Sequence, residues 1–336
     1  MTAREDGIWW RRVRDPDGGF LILDAAGLPV GDESALERIR SLAVPPAWTD
    51  VHLSPDPGRK VQAWGYDAAG RKQYIYSPEH VARRDRRKWR RVLRYGRLLP
   101  RLREATNRHL QRSELDREKV LATVVRLMGR AYFRVGSERY AVRNRTFGIC
   151  TLRKSHLEIR RNTLIFTYPG KRKVDQRQVV ADTPLVEIIQ QLLELPGSRL
   201  FRYVDAAGKP RNVTASAVNR YIREILGERC TSKDMRTFGA TVRSATVLAE
   251  LGPAANEREA RRNVALCCRL VAHELGNTPA ICRSAYIHPA VLEQYVAAGR
   301  TIEPLMRREP RPIAGTMPAD YYPEEAALIR FLERFG

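Results

Sequence analysis

Residues 146–180 read TFGICTLRKSHLEIRRNTLIFTYPGKRKVDQRQVV. Apolar and polar residues alternate through this stretch in three short runs, with turns near Lys154-Ser155, Arg161-Asn162 and Pro169-Gly170. Period-two alternation places successive side chains on opposite faces, so the stretch reads as three antiparallel strands. The text around it has a different rhythm. ELDREKVLATVVRLMGRAYF (114–133) carries apolar residues at helical spacing behind an acidic start. DTPLVEIIQQLLEL (182–195) opens as a helix, with Thr183 expected as N-cap and Pro184 at the first helical position. Further helices are expected over 214–226, 232–250, 258–275, 279–286, 289–298 and near 323–334. The C-terminal part is therefore mainly helical, with one β interruption.

Residues 1–80 are turn-rich. DPDGG, DAAG, DPGR and DAAGR separate runs such as FLILD, VQAWGY and QYIYS, the pattern of hairpins in a small antiparallel sheet. One helix is expected in DESALERIRSL (32–42), capped by Asp32 or Ser34. The basic stretch VARRDRRKWRRVLRYGRLLPRLR (81–103) joins the two parts. The fold class is α+β: a β-rich N-terminal domain over 1–88, and a larger helical domain over 89–336 carrying a three-stranded hairpin sheet.

Sixty Lys+Arg against 38 Asp+Glu give a net charge of +22, which points to a polyanionic partner, nucleic acid first. No apolar run approaches the roughly 20 residues that a membrane span needs. The segment 1–19 lacks the apolar centre of an export signal. A cytoplasmic, nucleoid-associated protein without a membrane partner is expected. Cys150, Cys230, Cys267, Cys268 and Cys282 lack metal-ligand spacing and read as core thiols of a reducing compartment.

No phosphate-binding glycine loop, dinucleotide fingerprint or metal-spaced His/Asp/Glu set is present. Metal-assisted phosphodiester cleavage needs converging carboxylates. The basic segments offer almost none, so if a phosphodiester is attacked, protein cations must neutralise the transition state and a side chain can be the nucleophile. Four segments supply them. YFRVGSERY (132–140) holds Arg134 and Gly136, and YPGKRK (168–173) puts Lys171 at a hairpin tip. TSKDMRTFGAT (231–241) places Arg236 in the first turns of a helix that Ser232 can cap. LGNTPAICRSAYIHP (275–289) ends one helix at Gly276, starts another at Pro279, and sets Asn277 nine positions before Tyr286. Each segment alone also suits an ordinary surface or packing role. His156 and His288 lack an orienting carboxylate and read as structural or DNA-facing.

Taken in order, Arg134, the hairpin Lys171, the Lys233-x-x-Arg236 pair and Leu-Gly-Asn-x8-Tyr resemble the catalytic series of the type IB DNA topoisomerases, closest to the compact bacterial and poxviral kind. VPPAWTDVHLSPDPGRKVQAWGYDAAGRKQYIY (44–76) is similar to their first domain. The resemblance implies an ATP-independent isomerase that relaxes duplex DNA as a monomer, clamps it between two domains, and needs no cofactor, metal or obligate protein partner. It implies that Tyr286 is the nucleophile of a 3′-phosphotyrosyl intermediate and that Arg134 and Arg236 hold the non-bridging oxygens. Lys171 would be the general acid and Asn277 a hydrogen-bond donor. Asn277 departs from the poxviral pattern, which has His there. The same carry-over makes Gly136, Tyr140, Ser216 and Lys233 DNA-contact positions, and assigns Gln73, Tyr74 and Tyr76 to groove and backbone contacts. A tyrosine site-specific recombinase is the alternative. Lys233 and Asn277, where recombinases carry histidines, and the hairpin-rich N-terminal half weigh against it.

Overall fold

The computed structural model describes residues 9–306 and 320–336, so residues 1–8 of the segment read for an export signal lie outside the described residues. Two compact units divide between Lys88 and Trp89.

The first unit is a five-stranded antiparallel sheet in the order β2-β1-β3-β4-β5. Its strands are β1 (Trp10–Arg14), β2 (Phe20–Leu23), β3 (Thr49–Leu53), β4 (Val61–Tyr66) and β5 (Lys72–Tyr76). Helix α1 (Glu33–Ser41) is capped by Asp32, whose carboxylate accepts the N–H groups of Ser34 and Ala35. Ile39 of that helix packs with Val51, Leu53 and Ala63 in a small core. The turns repeat one local device. In both Asp24–Gly27 and Asp67–Gly70 the aspartate Oδ1 accepts the backbone N–H two and four residues on, at 2.9–3.0 Å. The closing glycine is left-handed, φ +84° and +69°, a conformation that only glycine adopts cheaply.

The basic stretch is helical. Helix α2 (Pro78–Arg97) contains the boundary between the units, and Arg83, Arg84, Arg86, Arg87 and Arg90 are exposed along it. It ends at Arg97, Leu98 is the N-cap of α3 (Leu99–Leu110), and Pro100 enters that helix's first turn.

The second unit is built around α4 (Arg117–Ala131), in which every residue from Lys119 to Met128 is buried. A helix enclosed on all sides needs apolar surroundings all round, and α4 shares one core with Leu102, Phe166, Ile189 and Val218 among others. The three expected strands are β6 (Leu157–Arg160), β7 (Thr163–Pro169) and β8 (Asp175–Ala181), in the order β6-β7-β8. Along β8 burial alternates strictly, with Gln176, Gln178 and Val180 inward. Then follow α5 (Glu138–Asn144, before the sheet), α6 (Thr183–Glu194) and α7 (Ala215–Leu226). The remaining helices are α8 (Ser232–Leu251), α9 (Glu257–Leu275), α10 (Pro279–Ala285), α11 (Pro289–Ala298) and α12 (Pro323–Phe335). All five cysteines are buried free thiols. Among the described residues, no helix is long and apolar enough to cross a membrane.

Three local expectations need correction. The N-cap of α6 is Asp182, not Thr183: its carboxylate accepts the Leu185 N–H at 3.2 Å and also the buried Arg126 Nε at 2.8 Å. A carboxylate engaged by a guanidinium is the stronger acceptor, so it takes the cap. The N-cap of α8 is Thr231, not Ser232. Thr231 donates its backbone N–H and its hydroxyl to Asp234 Oδ2, its carbonyl accepts the Asp234 N–H, and Asp234 is itself held by Arg91 Nε at 2.8 Å. The β interruption is also not alone, since a third DAAG turn at 205–208 closes a small hairpin of β9 (Arg202–Val204) and β10 (Pro210–Asn212).

Asp182 therefore serves as a cap and as the carboxylate of a buried pair. Replacing it by Ala deprives Arg126 of that carboxylate in the interior. Urea unfolding of Asp182→Ala is expected to show a loss of about 3–5 kcal/mol at unchanged m-value.

Candidate active site

The punctuation read in 275–289 produces a sharp helix–helix joint. Gly276 is left-handed, φ +59°, and ends α9, while the Asn277 N–H reaches back to the Ala272 carbonyl at 2.9 Å. Thr278 caps α10 through the Ile281 N–H, and Pro279 occupies the first turn. Helix α10 lasts seven residues, and Tyr286 is its C-cap, its N–H bonded to the Cys282 carbonyl at 3.0 Å. Cys282 and Ile287, on either side, are fully buried and anchor the half-buried tyrosine. The Thr241 hydroxyl of α8 lies 3.2 Å from the Tyr286 carbonyl and accepts the His288 N–H at 3.2 Å.

Arg134 reaches this joint from the end of α4. Tyr132 adopts φ +51° and turns the chain out of the helix, and the Arg134 carbonyl accepts the Ile149 N–H at 2.8 Å. The close approach depends on Gly148, where a Cβ would meet the Arg134 carbonyl and Gly136 at 2.5 Å. Arg134 Nη2 then donates to the Gly276 carbonyl at 2.7 Å and to Asn277 Oδ1 at 2.6 Å. Gln176 of β8 offers Oε1 to Arg134 Nη1 at 3.4 Å and fixes its own amide on the Val174 and Asp175 carbonyls.

Arg236 is buried in the second turn of α8. Its Nη2 donates to the Leu275 carbonyl, and its guanidinium carbon lies 5.5 Å from the centroid of the Tyr286 ring. Burial lowers the pKa of both arginines, and the Arg134 charge lowers that of Arg236 further; the Tyr286 and Tyr168 hydroxyls oppose this. A guanidinium remains protonated at neutral pH regardless, so two cations share the site. Neither forms a salt bridge among the described residues. Arg236 Nε and Asn277 Nδ2 are buried donors with no hydrogen-bond partner there. Buried donors and buried charge are costly without an acceptor, and an anion beside Tyr286 would supply one.

The hairpin tip is the third component. After Gly170 the chain makes one tight turn over Lys171–Lys173, with Arg172 and Lys173 left-handed at φ +64° and +60°. For residues with a Cβ this conformation costs about 1–2 kcal/mol each. Lys171, Arg134, Asn277 and Tyr286 line one cleft of about 820 Å³ together with Arg172, Gln176 and Thr278. Arg236 lies beside Tyr286 without lining that cleft.

The DNA-contact candidates lie elsewhere. Tyr140 on α5, Ser216 in the first turn of α7 and Lys233 in the first turn of α8 are exposed. Gly136, φ +86°, faces Gly148 and Thr151, so its missing Cβ serves backbone packing there. In the first unit, Tyr74 and Tyr76 share one face of β5 with ring centroids 6.2 Å apart. Gln73 falls on the other face with Ile75, and its amide donates to Asp67 Oδ2 at 2.9 Å. His156 takes the Arg153 N–H, and His288 caps α11 and packs against Trp89. Both histidines have structural roles. Sequence reasoning did not single out Gln176 or Thr241. Gln176 could have been found as a polar residue at an inward position of an alternating strand, whereas Thr241 left no such signal.

A family model described as eukaryotic DNA topoisomerase I, catalytic core, matches residues 72–308, and one described as bacterial DNA topoisomerase IB, N-terminal domain, matches residues 19–67. The chain is similar to a DNA topoisomerase 1B of Acanthamoeba polyphaga mimivirus, 31% identical over 77% of this chain and 80% of that protein. A DNA topoisomerase 1B of Vaccinia virus (strain Copenhagen) is 25% identical over 79% of this chain and 83% of its own length. A solved XerH site-specific recombinase overlaps 60% of this chain and 50% of its own at 13% identity, with a TM-score of 0.39. So slight an overlap says nothing about activity.

A Cβ at Gly276 would run into the Gln176 amide as well as straining the backbone. Gly276→Ala should therefore be destabilised, and Gly276→Ala/Gln176→Ala should relieve the clash while keeping about 1–2 kcal/mol of strain. Urea midpoints of the two singles and the double measure the coupling; strict additivity would contradict the contact.

Proposed function

The chain belongs to the DNA topoisomerase IB family, and from that premise we propose that Tyr286 is the nucleophile with which it relaxes supercoiled duplex DNA. The supporting observation is the pair of adjacent guanidiniums beside Tyr286, neither of them balanced by a described carboxylate. They are suited to stabilise negative charge that grows on a phosphate, and they are fixed before the reaction starts.

In the proposed step the Tyr286 oxygen attacks phosphorus, forming one P–O bond as the bond to the 5′ oxygen breaks. The products are a 3′-phosphotyrosyl ester and a 5′-hydroxyl. Arg134 and Arg236 hold the non-bridging oxygens with paired N–H groups. Asn277 Nδ2, unpartnered and buried, donates to one of them, while its Oδ1 stays with Arg134. An amide cannot carry a proton at neutral pH, so Asn277 binds the transition state and takes no part in proton transfer. The Tyr286 hydroxyl gives up its proton to solvent as its oxygen attacks, and Lys171 gives a proton to the departing 5′ oxygen. The ester conserves the energy of the broken linkage, so the 5′-hydroxyl can attack it and reseal the strand without ATP. While the nick is open, the free end swivels and torsional stress dissipates.

The N-terminal sheet adds DNA contacts in this reading through the exposed Tyr74 and the half-buried Tyr76. Gln73 would first have to give up its bond to Asp67. The enzyme would act as a monomer on nucleoid DNA in the cytoplasm. A recombinase is the weaker reading, because Lys233 and Asn277 stand where that family carries histidines.

Tyr286→Phe removes only the attacking oxygen. It should bind duplex like the unaltered protein yet leave plasmid supercoiled, in the presence or absence of EDTA and nucleotide; relaxation by this variant would exclude the assignment. Lys171→Ala is expected to slow single-turnover cleavage about 10²–10⁴-fold. The deficit should largely vanish on a substrate whose leaving 5′ oxygen is replaced by sulfur, which departs without a proton; an equal deficit on both substrates would remove Lys171 from the role of acid.

A further inference from the structure

Resting on that reading, we propose that a second cleft, which shares Arg172 of the hairpin tip with the cleft at Tyr286, binds a backbone phosphate of the same duplex and so positions the tip that carries Lys171. The cleft encloses about 800 Å³ and is lined by Arg143, Asn144, Arg145, Thr146, Pro169, Arg172 and Lys173. Four of those seven residues are cations, all four are exposed, and no carboxylate lines the cleft. Among the described residues, none of the four makes a side-chain hydrogen bond or an ion pair, in a molecule where many arginines do. Gathering like charges without a counter-charge is unfavourable unless a polyanion fills the space.

The backbone points the same way. Arg145, Arg172 and Lys173 are all left-handed, at φ +51°, +64° and +60°, so three strained cationic residues meet in one place. Strain of this kind persists where the surroundings enforce it and gathers at functional sites. Arg145 ends α5 in that conformation, and Arg172 and Lys173 form the tight turn of the tip. Arg172 lines both this cleft and the one that holds Tyr286. A strand with its scissile phosphate beside Tyr286 can therefore continue over the tip and lay another phosphate in the second cleft. Occupancy would tie the tip to α5 and set the direction in which Lys171 reaches, which makes Arg172 and Lys173 positioning residues.

The test uses the full chain with Tyr286→Phe, so that binding is read without chemistry. Duplexes carrying one uncharged methylphosphonate at successive positions are bound by this protein and by two variants of it, Arg172→Gln/Lys173→Gln and Arg143→Gln/Arg145→Gln. With all four cations present, one or two adjacent positions away from the cut should weaken binding. Both variants should lose sensitivity at those positions and keep it elsewhere. Their slope of log affinity against log salt should fall by about 0.9 for each phosphate that is no longer neutralised. Unchanged urea midpoints certify the fold. An unchanged positional pattern in the variants overturns the proposal. So does competition by inorganic phosphate that exceeds chloride at equal ionic strength and disappears in the variants, because a free anion would then be the occupant. The same pairs made with Tyr286 intact should still form covalent adduct, more slowly. If the unaltered protein forms no adduct, the reading of Tyr286 has failed, and the positional pattern still decides the cleft.

Discussion

The site depends on one guanidinium. Arg134 leaves the end of α4 and donates from a single nitrogen to the Gly276 carbonyl and the Asn277 side chain, locking the joint between α9 and α10 to the centre of the domain. Tyr286 sits seven residues beyond Pro279 on a helix too short to hold its own direction, so its placement follows from that joint and from the buried residues on either side of it. Arg236 makes a parallel contact to the Leu275 carbonyl from α8. Three helices thus converge through two cations and three consecutive residues.

Such an arrangement is unfavourable locally. Two neighbouring cations are partly desolvated, two donors lack acceptors, and two residues of the hairpin tip hold a strained backbone. The folded domain supports this through ordinary packing elsewhere: the enclosed helix α4, the Arg126–Asp182 pair, and the bidentate contact of Arg103 with Glu325 that holds α12 to α3. A phosphodiester relieves these terms in part, because its oxygens accept the free N–H groups and its single negative charge offsets one of the two cations. Charge that increases in the transition state is relieved further, which is the condition for catalysis rather than binding alone.

The parts of this design that were legible in the sequence are those governed by neighbours along the chain. LGNTP reads as a stop and a start because Gly276 and Pro279 act on their own backbones, and the joint forms where the spacing placed it. The alternation in 146–180 marked the strands and put Lys171 at the turn. Asp32 capped α1, and the DAAG turns at 24–27 and 67–70 formed from their own side chains, as did the third copy at 205–208, which passed unread. The misreadings involve distant partners. Asp182 displaced Thr183 as a cap because Arg126 lies 56 positions away, and Thr231 and Asp234 cap α8 with help from Arg91, 143 positions from Asp234. The ordered series of catalytic residues was visible only as a resemblance; that four of them would line one cleft is a property of the fold.

The central claim is that a tyrosine oxygen among fixed cations exchanges a phosphodiester linkage with DNA. The direct measurement is to denature the protein during reaction with a duplex labelled on either strand end, digest the adduct, and identify the modified peptide by mass spectrometry. The account predicts a single modified residue, Tyr286, joined to the 3′ phosphate of the nicked strand. Attachment through any other side chain, or to a 5′ phosphate, would contradict it.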